Sequence, residues 1–180
     1  MEESKAPHLI SLLKLIYENS YKSIACERWE EYKQLRLESL SDSPQSFLDD
    51  VDKTQEVSKE EWQKKLKNMY FAEVDGKWVG MIGAYQDERS KLNHIMKIVS
   101  FYVSPKHRGQ GIGKALLSEV INKSKQLKEV KKLELGVITT QEAAYQLYLS
   151  LGFKKVGEQK YSVKVGDKYF DEYLMEMYLE

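Results

Sequence analysis

Apolar positions in this chain change their period several times, and each change marks an element. Over residues 28–40, Trp29, Tyr32, Leu35, Leu37 and Leu40 recur at helical spacing, and Ser41, Asp42, Ser43 and Pro44 stop the run. Ser58 followed by Glu61 forms a capping box for a helix reaching about Asn68. Residues 70–74 and 77–85 are strand-like and are joined by Asp75-Gly76, a two-residue hairpin turn. The run Ile95–Val103 is apolar enough for a strand covered on both faces, and Ser104-Pro105 ends it. An amphipathic helix follows to about Leu127, with Ile112, Leu116, Val120 and Ile121 on one face and Lys114, Glu119, Asn122 and Lys123 largely on the other. Lys132–Ile138 reads as another strand, and Thr139 with Glu142 caps a helix over 141–151 that Gly152 ends. Two last strand runs, 154–165 and 168–179, meet at Gly166-Asp167. Upstream, 8–18 has the spacing of a short helix and 22–25 that of a short strand. The sum is a mixed α/β domain with several hairpins and one central strand–helix–strand crossover, which should be right-handed.

Composition narrows the function. The 180 residues suit one domain, and 42% hydrophobic residues suffice for a core without staples. The 28 basic and 28 acidic side chains cancel, which argues against a broad nucleic-acid surface or a polybasic membrane patch. A lone cysteine, Cys26, excludes an internal disulfide and any multi-cysteine metal site, and it fits a reducing, cytoplasmic compartment. The first residues lack a basic leader and Lys14 interrupts the apolar run 9–16, so neither a signal peptide nor a membrane span is expected. The acidic stretch 45–57 reads as a solvated loop.

Candidate chemistry gathers where the central helix opens, at Gly109, Gly111 and Gly113. Glycine lets a backbone approach a ligand closely, and the first turn of a helix leaves N–H groups unpaired and partly positive, which suits phosphate. Lys106, His107, Arg108 and Lys114 add cationic character. A Walker A loop is excluded, because Arg108 stands where its first glycine belongs and Ala115 replaces the hydroxyl. The dinucleotide fingerprint fails as well, since Lys114 occupies the third glycine position. What remains is R-x-x-G-x-G, which alone is as compatible with an empty turn as with a ligand.

A second motif decides the direction. Arg108-x-x-Gly111-x-Gly113 after a buried strand, with Leu147-Tyr148-Leu149-Ser150-Leu151-Gly152-Phe153 in the next strand–helix unit, resembles the GCN5-related N-acetyltransferase superfamily over about residues 22–179. The resemblance implies an α/β fold with a mixed, mostly antiparallel sheet flanked by helices and splayed between its fourth and fifth strands, acetyl-CoA lying in the gap. Residues 21–180 would form this domain and 1–20 a helical extension. The pantetheine arm would hydrogen-bond backbone groups at Phe101, Tyr102 and Val103. The pyrophosphate would sit on the amides of Arg108, Gly109, Gln110, Gly111, Ile112, Gly113 and Lys114. Gln141 stands where many relatives place an asparagine against the arm, and Tyr148 matches the tyrosine that protonates the leaving thiolate. No metal is implied.

The chemistry can be stated independently. A lysine-type amine, with a pKa near about 10.4, must lose a proton before it attacks a thioester. Attack makes an oxyanion that a backbone N–H, such as that of Val103, can stabilise, and collapse expels a thiolate that a phenol can protonate. As one of twelve tyrosines, Tyr148 has packing as its other reading. The two positions where relatives place a basic glutamate hold Gly136 and Lys97 here. Glu134, on the strand side of Gly136, and His94 are the substitutes, and a water chain or an amine of low pKa serves equally. The missing base keeps open an acyl-CoA sensor of the same fold. A third reading is an interaction domain with an empty glycine turn. The acceptor is an amine on a small molecule, peptide or protein, with no nucleic acid or membrane partner, and a homodimer is allowed. Trp29, Phe47 and the hairpin at Gly166 lie where relatives often shape the acceptor site.

Overall fold

The computed structural model describes residues 27–179, so the expected helix over 8–18, the strand over 22–25 and Cys26 lie outside the described residues. Helix α1 (Trp29–Asp42) is followed by a single turn at Pro44–Ser46, α2 (Val51–Gln55) and α3 (Lys59–Lys65), the last extended by a turn at Leu66–Asn68. Ser58 Oγ accepts the Glu61 amide at 3.3 Å, as the capping box requires. Then come β1 (Met69–Val74), β2 (Lys77–Gln86), β3 (Ile95–Val103), a turn at Pro105–His107, α4 (Ile112–Gln126), β4 (Lys132–Ile138), α5 (Glu142–Ser150), β5 (Lys154–Val165) and β6 (Lys168–Tyr178). The stretch 45–57 is thus more ordered than a solvated loop, because Phe47 and Thr54 are buried. Thr139 does not cap α5. Its amide donates to the Asp171 carbonyl at 2.9 Å, and Gln141 takes the N-cap position without a side-chain bond.

The six described strands form one sheet in the order β1-β2-β3-β4-β6-β5. Every neighbouring pair is antiparallel except β3 and β4, which the α4 crossover joins in parallel. Both hairpin turns read from sequence are present, with φ of 50° at Asp75, 76° at Gly76 and 58° at Gly166.

Both faces of the sheet are covered. On one side, Ile112, Leu116, Leu117, Val120 and Ile121 of α4 pack on Val79, Ile98, Leu133 and Leu135. On the other, Tyr32, Leu35 and Leu40 of α1 and Trp62 of α3 pack on Phe71, Trp78, Met81 and Tyr102. A fully buried leucine contributes about 1.5–3 kcal/mol, so Leu116 and Leu117, both wholly inaccessible, tie α4 to the sheet more firmly than its helix propensity does.

Two irregularities in β3 shape the centre. Met81 pairs with Tyr102 but Gly83 pairs with Val99, which leaves Ser100 and Phe101 opposite Ile82 alone, and Ser100 sits at φ 54°. This bulge reverses the alternation. Before it, Met96 and Ile98 face α4; after it, Phe101 and Val103 take that side while Tyr102 turns to α1. The second irregularity is the parallel pairing itself. Only Ile95, Met96 and Lys97 pair with Lys132, Leu133 and Glu134, and beyond them the strands part. This is the expected splay. It falls between the third and fourth described strands.

Candidate active site

The gap between β3 and β4 opens into a cavity of about 880 Å³. Its walls are the bulged end of β3, the loop and first turn of α4, residues Gly136, Val137 and Ile138 of β4, and Gln141, Ala144, Leu147 and Tyr148 around α5. Phe47 with its neighbours and Ser162, Val163 and Glu172 of the β5–β6 hairpin close the far end.

At the α4 end the backbone supplies donors. Gly109 and Gly111 have φ of 74° and 82°, conformations that glycine adopts without strain, and they turn the chain sharply into the helix. The first return bond runs from Ala115 N to Gly111 O at 3.0 Å, so the amides of Ile112, Gly113 and Lys114 precede any intrahelical partner. A Cβ on Gly113 would stand 3.2 Å from the Phe101 ring, so the helix start lies directly against the bulged strand. His107 and Lys114 line this end. The three departures from expectation are local. The Arg108 amide donates to the Pro105 carbonyl at 3.3 Å, and its guanidinium turns away from the helix, Nε donating to the Val103 carbonyl at 2.9 Å and the terminal nitrogen to Asp42. Gln110 folds onto the Lys106 carbonyl at 3.1 Å and does not line the cavity. Arg108 therefore braces the end of β3, and the Arg108 hydrogen bond holds the Asp42 carboxyl below its usual range.

At mid-cavity, Ser104 N donates to Val79 O at 2.9 Å and Met81 pairs with Tyr102, so the Val103 N–H points away from β2 and into the gap. Tyr148 is buried at 5% exposure between Phe101 and Phe153, whose ring centroids lie 6.0 Å and 5.9 Å from its own. Burial pushes its phenol well above the usual range, which keeps the proton on oxygen.

The far end holds what sequence reasoning missed. Glu134 pairs with Lys132 at 2.6 Å, and neither Glu134 nor His94 lines the cavity, so neither expected substitute base sits at the site. Glu172 of β6 does. Its Oε1 lies 2.1 Å from where a Cβ on Gly136 would stand, and its Oε2 accepts from Ser162 Oγ at 2.9 Å. Ser162 reaches it because β5 bulges, with Lys160, Tyr161 and Ser162 together facing Asp171 alone. Asp49 is the other carboxylate in the lining, and it is paired with the buried Arg36 at 2.7 Å. Burial alone would raise the Asp49 carboxyl, but the Arg36 hydrogen bond and charge outweigh that and hold it low. Of the expected acceptor-side residues, Phe47 lines the cavity; Trp29 and Gly166 do not.

A splayed sheet whose gap joins the unpaired amides of a helix N-terminus to a buried phenol suits a long ligand with an anionic end. The sequence pattern of the Acetyltransferase (GNAT) family matches residues 27–153, and the chain belongs to that family. Human N-acetyltransferase 8 is 29% identical over 142 residues, covering 78% of this chain, while the chain spans 56% of that relative's length. An acetyltransferase of the GNAT family from Streptococcus pneumoniae superposes with a TM-score of 0.74 at 24% identity, covering 86% of this chain and 95% of its own. The Salmonella typhimurium protein yncA, crystallised with its cofactor acetyl-CoA, gives 0.74 at 17% identity over 86% of this chain and 90% of its own. Both likenesses are of fold. No helix among the described residues is long and apolar enough to cross a membrane.

Proposed function

We propose that this chain transfers an acetyl group from acetyl-CoA to a primary amine by direct attack, in a cytoplasmic setting. The observation that carries the reading is the continuity of one cavity from the unpaired amides of α4 to the Tyr148 phenol. The pyrophosphate lies on the amides from Gly109 to Lys114, with His107 and Lys114 beside it. The pantetheine arm follows the free edge of β3, against Phe101 and Val103, with Gln141 across from it.

The thioester carbonyl is placed against the Val103 N–H. The neutral amine attacks the carbonyl carbon, a C–N bond forms, and the oxyanion is stabilised by that N–H. As the C–S bond breaks its electron pair goes to sulfur, which takes the proton of Tyr148; the phenolate recovers a proton from nitrogen. The net change converts ammonium and acetyl-CoA into amide, CoA thiol and one released proton.

The sensor reading rested on the lack of a glutamate at the two usual base positions; Glu172 in the cavity lining offers a carboxylate from another strand. Purified protein mixed with acetyl-CoA and a panel of amines tests the proposal. Thiol release that depends on the amine is expected. Tight acetyl-CoA binding without thiol release on any amine would return the chain to the sensor reading.

A further inference from the structure

The charges around the cavity are unevenly spoken for. Arg108 is committed to Asp42, and Arg36 to Asp49. Among the described residues Glu172 has no cationic partner, although it is half-buried in the cavity wall and only Ser162 donates to it. Of the lysines on β5, Lys160 bonds Glu158 and Asp171, Lys155 bonds Glu158, and Lys164 lies over the Tyr169 ring. The facing stretch of β4, Gly136, Val137 and Ile138, carries no ionisable side chain. Across the cavity stand the Arg36–Asp49 pair and Tyr148. Gly136 is what makes room, since any Cβ there would collide with Oε1.

We propose that Glu172 is the acceptor-binding base of this site: its carboxylate, held by Ser162 and aimed over Gly136, receives the substrate ammonium and takes a proton from its nitrogen. The proposal rests on the acetyl-transfer reading above. Of the two protons that nitrogen loses, one leaves through Glu172 to solvent and the other replaces the proton that Tyr148 gives to sulfur. Glu172 relays the first proton before attack, and once bonded to the acyl carbon the nitrogen becomes strongly acidic, so the second passes readily to the Tyr148 phenolate. The substrate class that follows is a primary amine presented as ammonium.

The test uses the full chain with acetyl-CoA and two probe acceptors, a tripeptide with a free N-terminus and Nα-acetyl-lysine amide, whose amines titrate near about 7.7–8.0 and about 10.4. In single-turnover thiol release, Glu172→Gln should lower the rate by about 10²- to 10⁴-fold. Acetyl-CoA affinity by calorimetry should be unchanged. The deficit should be larger for the lysine probe at neutral pH, where more of it is charged. Gly136→Ala provides a second variant, because its methyl group displaces the carboxylate without removing it, and it should reproduce the loss in the same direction. A wild-type enzyme that acetylates a probe, with both folded variants within threefold of it on both probes, overturns the role of Glu172 and leaves the acetyl-transfer reading standing. A wild-type enzyme that binds acetyl-CoA yet acetylates neither probe nor any amine of the wider panel overturns both.

Discussion

Tyr148 holds its proton because its surroundings offer the phenolate nothing: aromatic rings on two sides and burial that raises its pKa. Tyr148→Phe keeps the ring and its packing. Single-turnover acetyl transfer should fall by about 10²- to 10⁴-fold while acetyl-CoA affinity changes little, as calorimetry would report. A loss confined to KM would mean that the hydroxyl positions substrate instead. Tyr148 was legible in the sequence because its spacing to Gly152 and Phe153 is local. Glu172 was not. It lies on a different strand from Gly136, and only the antiparallel register of β4 and β6 and the bulge in β5 bring the two together. The one available signal was the bare Gly136 within a strand, which often marks close approach by another group. Arg108 illustrates a different limit. Its place in the motif was readable, but its turn toward Asp42 depends on where α1 ends.

Elements carry the site's geometry through backbone conformations that side-chain patterns do not reveal. The apolar run of β3 announced a buried strand, yet the reversal at Ser100 that puts Phe101 and Val103 on the cavity side left no trace in hydropathy. The start of α4 was easier to see, because alternating glycines have few uses. A Cβ on Gly111 would stand in open space, but φ there is 82°, so a branched residue is strained whatever the room around it. Gly111→Val should cost about 1–2 kcal/mol of stability. By swinging the amides of Ile112 and Gly113 off their line, it should also weaken acetyl-CoA binding at least tenfold. Thermal unfolding and calorimetry on the same preparation would separate the two effects. Unchanged affinity in a folded variant would remove the helix start from the binding site.

Across the whole molecule, two carboxylates outside the sheet tether α1 and the segment after it. Asp42 joins Arg108 at the end of β3, and Asp49 joins Arg36. Both have folded pKa values below their ordinary ones. Their contribution is therefore present above the unfolded value of about 3.9 and is lost as pH falls through the lower folded values. Each pair is partly exposed, so the share of each is small. Melting temperature should hold from pH 7 to about 5 and decline below about 4, and the combined Asp42→Asn and Asp49→Asn substitutions should flatten that decline. An acid limb of the same depth in the double variant would assign it to other carboxylates.

Three residue pairs are all that zip β3 to β4 before the strands diverge, so the sheet is in effect two plates sharing a short seam. A cosubstrate lying along the open edges would act as a spline between them, hydrogen-bonding where a neighbouring strand would have done so. Ligand then becomes part of the architecture: saturation at a hundred times Kd would stabilise the folded state by about 2.7 kcal/mol. The benefit should be written locally, as slowed amide exchange in β3 after Lys97 and in β4 after Glu134, while β1 and β5 at the outer margins keep the rates they had.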